Sequence, residues 1–271
     1  MKLKTLSPFA RPYTSLIGIG DRIHGKFLYK YMPLSTALLC LKNNSIRFRE
    51  PSQWDDPFEK IYYLANYTNV MPNPKFNTKL LACCLTNKPN CEAAWRIYTK
   101  DLDKDPCVQF KIYIGQFRTF VEKYAKRFSA TVYEGRVNYG VSDYEIRHLY
   151  QKTHRLYPLF FTDFNIVQYL NLMILKRGYF EYENEIRFFI TGHVSDKGYE
   201  DVKIPWSHCL DSVTLPPITD IEQAQKFSML LKEALENNCE LCKIEFPYLY
   251  TQVIKTKPNT LYEMIDPVTI E

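Results

Sequence analysis

The stretch YFEYENEIRFFIT, residues 179–191, alternates more regularly than any other part of the chain, and alternation of that kind demands a β-sheet. Successive side chains of a strand point to opposite faces. Glu181, Glu183, Glu185 and Arg187 are therefore expected on one face, and Phe180, Tyr182, Asn184, Ile186 and Phe188 on the other. The second set suits a core. The first aligns three carboxylates with one guanidinium, which cannot neutralise them all. One reading is a solvated outer face with Glu185 and Arg187 paired. The other is a cleft wall in which neighbouring carboxylates push one another's pKa upward, as acid/base chemistry requires. Spacing leaves both open.

Further strands are expected at FLYKYM (27–32), SIRFRE (45–50), LLACCLT (80–86), CVQFKIY (107–113) and CKIEF (242–246), with a strand or hairpin at ATVYEGRVNYG (130–140). Helices are expected at 35–44, opened by Ser35, at Glu92–Asp101, at 114–128, over most of 143–176 and at 220–238. Strands and helices alternate without a regular βαβ repeat, so the fold class is α+β with a mixed or mainly antiparallel sheet and flanking helices. Residues 1–26 read as an irregular basic arm, and 27–271, free of repeats or linkers, as a single domain.

The 271 residues can bury a core without disulfides or metal. Eight scattered cysteines and an N-terminus lacking an apolar signal core point to reduced thiols in a cytoplasm. Cys239 and Cys242 form a CxxC that reads as buried apolar packing. No apolar run approaches the roughly 18 residues needed to cross a bilayer, so no membrane partner is expected. The histidines show no ligand spacing and no metal is expected. GxGxxG, P-loop and GxSxG motifs are missing, which argues against Rossmann oxidoreductases, P-loop NTPases and α/β-hydrolases. A net charge of +5 and 15% aromatic residues permit nucleic-acid or nucleotide binding without requiring it.

Two more groupings stand out. Trp54-Asp55-Asp56-Pro57-Phe58-Glu59 packs three carboxylates into a Pro-bounded loop, either a turn with Asp caps or a ligand-facing loop holding ribose hydroxyls or a metal. Trp95 and Tyr98 share a helix face, for core packing or base stacking.

Taken together, FLYKYMPLSTALLCLKNNSIRFREPSQWDDPFE, LLACCLTNKPNCEAAWRIYTKD, CVQF, VNYG and KRGYFEYENEIRFFI resemble a large bacterial and phage family of unknown function, over roughly residues 27–246. The departures are Trp54-Asp55 for the family's Phe-Asn, and Pro106 where a Gly usually precedes the strand. The order of elements is more distantly similar to ADP-ribosyltransferases, in particular the DarT-type toxins that modify nucleic acid. That resemblance implies an ADP-ribosyltransferase-like split sheet and NAD consumed as co-substrate. It implies a catalytic Glu185 that supports an oxocarbenium-like transition state, with Glu183 orienting the acceptor. Tyr29, Lys30 and Tyr31 would then meet the nicotinamide half, Arg47 or Arg49 the pyrophosphate, and Asp56 and Thr86 would complete the NAD contacts. Thr86 is all that ACCLT offers of the superfamily's Ser-Thr-Ser strand. A toxin or phage-defence effector acting on RNA, DNA or protein, with an antitoxin or chaperone as partner, is the implied role. Two other classes compete. One is a Mg²⁺-dependent nuclease using Asp55, Asp56, Glu183 and Glu185. The other is a non-catalytic module binding nucleotide, RNA or protein.

Overall fold

The computed structural model describes residues 25–57, 59, 79–141, 170, 173–192, 197–216, 221–236 and 243–245. In chain order the first half comprises β1 (Phe27–Pro33), α1 (Leu34–Asn43), β2 (Ser45–Arg49), β3 (Lys79–Thr86), α2 (Glu92–Tyr98), β4 (Cys107–Tyr113) and α3 (Ile114–Lys126). The second half comprises β5 (Thr131–Arg136), β6 (Asn138–Val141), β7 (Leu175–Arg177), β8 (Glu185–Gly192), β9 (Tyr199–Lys203), α4 (Trp206–Cys209), β10 (Leu210–Thr214), α5 (Ile221–Glu236) and β11 (Lys243–Glu245). The result is a mixed α+β fold with mainly antiparallel strand pairing. The chain divides into two compact units, one made of Met1–Lys26, Ile46–Lys88 and Arg118–Lys203, the other of Phe27–Ser45, Pro89–Phe117 and Ile204–Glu271.

In the first unit the strands run in the order β9, β2, β3, β8, β5. β8 lies between β3 and β5, antiparallel to both, with Thr86 opposite Glu185 at one end and Lys79 opposite Gly192 at the other. Flanked on both sides, β8 is buried from Glu185 to Thr191, and Ile186, Phe188, Phe189 and Ile190 build the core around it. Arg118 of α3 forks onto Glu134 of β5 with two bonds of 2.6 Å. β6 and β7 form a separate parallel pair.

In the second unit the order is β11, β10, β4, β1, with only the β10–β11 pair parallel. α1 and α5 pack on each other over a core of Leu28, Ala37, Leu41, Phe110, Ile112, Phe227 and Leu231. Trp206 sits edge-on to Phe110 at 5.3 Å, and its indole donates to the Cys40 carbonyl at 2.8 Å.

Three expectations are corrected. Residues 178–183 are a 3-10 turn, not strand, and β8 begins only at Glu185. Asn184 adopts the left-handed region (φ 43°), which an Asn tolerates better than most residues, and this breaks the extended run despite the alternating pattern. Lys176 and its neighbours, read as the end of a helix, form β7, because a short apolar run carries no decisive period and β6 offers a parallel partner. Ser35 does not open α1 as a cap; Pro33 precedes the helix, and Asp105 caps it from outside. The helical reading of 143–169 and the CxxC pair both lie outside the described residues.

Candidate functional site

The first residue of β8 is fixed through its own backbone. The Glu185 N–H donates to the Tyr139 hydroxyl at 2.8 Å, and its carbonyl accepts from the Val137 N–H at 3.0 Å. Thr86, its register partner, donates to the Asn184 carbonyl at 3.2 Å and accepts from the Lys88 N–H at 3.0 Å. The Asn184 N–H closes the preceding turn on the Glu181 carbonyl at 3.2 Å. These ties bring Glu183, at the end of the turn, beside Glu185, at the start of the strand.

The hub is Arg187, whose side chain is 1% exposed. It shares a strand face with Glu185, as the alternation requires. Its Nε and Nη2 donate to Glu185 Oε2 at 2.9 and 2.6 Å, and Nη1 donates to the Met173 carbonyl at 2.7 Å. Nη2 also pairs with Glu59, which with Pro57 is helical rather than part of the loop expected from the sequence. The Trp54 ring lies against the guanidinium, 4.3 Å from Cζ to centroid. Lys176 of β7, 8% exposed at its side chain, places Nζ 2.5 Å from Glu183 Oε2 and 3.6 Å from Glu185 Oε1. Phe180 covers this ammonium at 4.8 Å. At the margin Arg177 Nη2 pairs with Asp56 Oδ1 at 3.2 Å.

Glu59, Glu183 and Glu185 thus meet Lys176 and Arg187, one negative charge in excess. Burial and the neighbouring Glu185 push Glu183 up to about 7, although Lys176 opposes them. Glu185 goes the other way: burial works against its charge, but Arg187 and Lys176 outweigh burial and hold it at about 2. Burial raises Glu59 as well, with Arg187 and Lys176 offsetting part of the effect. Lys176 and Arg187 both lie above their ordinary values; burial opposes their charge, but Glu185 and Glu59 overcome it. The neighbouring cations thus favour the ionised form of Glu185, while burial and Glu185 favour the protonated form of Glu183. A carboxyl pair driven to opposite protonation states can stabilise positive charge with one member and exchange a proton with the other.

The solvated-face reading of the acidic stretch does not hold for Glu185 and Arg187, which are buried, although Glu181 is exposed. The other sequence candidates are dispersed. Asp56 reaches the edge of the cluster through Arg177, and Thr86 supports it from β3. Arg47 forks onto Asp201 at 2.8 and 2.9 Å and lies over the Tyr199 ring at 4.0 Å. Arg49 is exposed on β2. Tyr29, Lys30 and Tyr31 stand on β1 in the other unit; the Tyr31 hydroxyl there accepts from the Cys91 N–H at 2.7 Å, with the buried Trp95 edge-on at 5.0 Å. Tyr98 is only partly exposed, at 39%. Sequence reasoning missed Lys176 and Tyr139 as site residues and did not single out Glu59 from its loop. A Lys closing the apolar run LMIL was the available signal for the first.

The fold and the site together define an α+β protein with a buried carboxylate–guanidinium cluster at the head of a central strand. No family model matches the chain, and no curated protein matches it. Among solved structures, a Thermus sp. 2.9 DarT in complex with carba-NAD+ aligns with a TM-score of 0.32 and 8% identity, covering 81% of this chain and 94% of that one. At that level the likeness carries no residue-by-residue correspondence. Among the described residues no helix is long and apolar enough to cross a membrane.

Proposed function

We propose that this protein is an NAD-consuming mono-ADP-ribosyltransferase whose working carboxylates are Glu185 and Glu183. The observation that carries the reading is the juxtaposition of two carboxylates at the head of β8: Glu185 is bound by Arg187 at 2.6 Å, and Lys176 lies 2.5 Å from Glu183 and 3.6 Å from Glu185. NAD supplies the ADP-ribosyl group, with nicotinamide leaving on the electron pair of the broken C–N bond. Glu185, its Oε2 anchored by Arg187, faces the positive charge that builds on the sugar carbon. Glu183 takes the proton of the acceptor hydroxyl or amine as the new bond to the sugar forms.

For the pyrophosphate, exposed Arg49 suits better than Arg47, whose fork is closed on Asp201. The nuclease reading needs Asp55, Asp56, Glu183 and Glu185 gathered around one ion, and among the described residues no group of three or more such side chains is placed to hold one. A binding module for RNA, nucleotide or protein draws support from Tyr179, 78% exposed on the turn leading to Glu183. The acceptor is nucleic acid or protein, and the role is that of a toxin or phage-defence effector with an antitoxin or chaperone partner.

The test is incubation with labelled NAD and separate RNA, DNA and protein acceptors, beside Glu185→Gln. Label transferred by the wild type and not by the folded variant supports the reading. Equal transfer by the variant, or no nicotinamide release from either, sinks it.

A further inference from the structure

Lys176 lies outside the acidic motif yet pairs with two of its carboxylates. A lysine is rarely buried unless paired, and this one ends an apolar run on a three-residue strand. Its ammonium lies between two carboxylates that belong to different elements, Glu183 on the 3-10 turn and Glu185 on β8. We infer that Lys176 is a positioning residue for the proposed reaction, holding the Glu183 carboxylate in its working orientation and charge state. This rests on the transferase reading of the same site.

The geometry supplies the reason. Glu183 is the last residue of the 3-10 turn and precedes the left-handed Asn184, so it stands where the regular element ends. The contact with Lys176 holds Oε2 at 2.5 Å. Every other charged group facing Glu183 acts differently. Glu185, from β8, is a carboxylate that disfavours a second negative charge beside it. Arg187 directs its donors to Glu185, Glu59 and the Met173 carbonyl. Tyr139, from β6, meets the Glu185 backbone. Glu59 adds negative charge, and Asp56 and Arg177 pair with each other at 3.2 Å. Lys176 is therefore the cation in contact with Glu183, and without it Glu183 is left beside like charges.

The experiment is a carboxyl-carbon NMR titration of Glu183 in the wild type, Lys176→Met and Lys176→Arg, with the pH–rate profile of NAD turnover recorded on the same samples. The Glu183 midpoint, about 7 in the wild type, should rise by roughly one unit or more in Lys176→Met and stay close to the wild-type value in Lys176→Arg. The acid limb of the rate profile should move with it, a loss of about tenfold at pH values below the limb. A folded Lys176→Met protein with an unmoved midpoint overturns the inference. If Lys176→Met does not fold, Glu183→Gln takes its place, and the Lys176 side-chain nitrogen must then titrate at lower pH than in the wild type; no change overturns the inference. A midpoint that moves in a protein without NAD turnover leaves Lys176 as the partner of Glu183 and removes the transferase reading. Turnover with an unmoved midpoint does the reverse.

Discussion

Glu59 and Arg187 stand 128 positions apart in the chain and form a buried ion pair. This contact makes the Trp54–Glu59 segment and the acidic strand parts of one site. The Arg177–Asp56 pair, 121 positions apart, ties the same segment to the end of β7 as well. The segment is thereby a wall of the site, with Trp54 stacked on the guanidinium that Glu59 and Glu185 share.

Removing Arg187 leaves Glu59 and Glu185 facing each other in the interior without their main counter-ion. Arg187→Met is expected to cost about 3–5 kcal/mol of stability, the range for breaking one side of a buried pair. Arg187→Lys also loses stability, because an ammonium cannot fork onto two carboxylates and the Met173 carbonyl together. Combining Arg187→Met with Glu59→Gln and Glu185→Gln should recover part of the loss. Urea unfolding of the series checks this, and a loss under about 1 kcal/mol for Arg187→Met would mean that the cluster is solvated.

Asn184 sets where the turn ends and the strand begins. Its positive φ makes Asn184→Gly nearly neutral, whereas Asn184→Ala should cost about 1–2 kcal/mol. Since the same residue fixes the relation of Glu183 to Glu185, Asn184→Ala should also lower any NAD turnover more than its stability loss explains. Thermal melts and turnover on the same preparations separate the two effects.

Periodic elements were legible in the sequence where local pattern decides them. The strand at 80–86, the helix over Ile114–Lys126 and the pairing of Glu185 with Arg187 two residues on all follow from spacing. The rest depends on partners that local spacing cannot show. Glu183 kept the alternation of a strand although a left-handed Asn184 had already ended it. Lys176 read as helical because its strand partner, β6, lies far back in the chain. Tyr139 gave no sign that its hydroxyl would receive the Glu185 N–H, a contact spanning 46 positions.

α1 takes its N-terminal cap from Asp105, whose two oxygens accept from the Ser35 N–H at 2.7 Å and the Ser35 hydroxyl at 2.8 Å. Asp105→Ala should cost about 1 kcal/mol, as loss of a cap does, and Asp105→Asn less. The Lys100–Asp105 pair, with Lys100 largely exposed, adds little to that figure. Ser35→Ala, which keeps the backbone contact, should be milder than Asp105→Ala; equal losses would place the effect in the hydroxyl instead.

Glu183 and Glu185 give stability opposite dependences on pH. Glu185 ionises at about 2 in the folded protein against an ordinary 4.5, so its contribution is present above about 4.5 and is lost as pH falls toward 2. Glu183 is raised to about 7 from the same ordinary value, so its contribution is full below about 4.5 and disappears as pH rises through 7. Buried Glu59 acts in the same direction as Glu183. Stability should therefore peak near pH 4–5 and decline by on the order of 1–3 kcal/mol toward pH 8. In Glu183→Gln most of that upper decline should vanish, leaving the part that belongs to Glu59, while the acid decline persists. Urea midpoints between pH 3 and 8 test this, and curves for wild type and Glu183→Gln that superimpose above pH 5 would show that Glu183 titrates as an ordinary surface carboxylate.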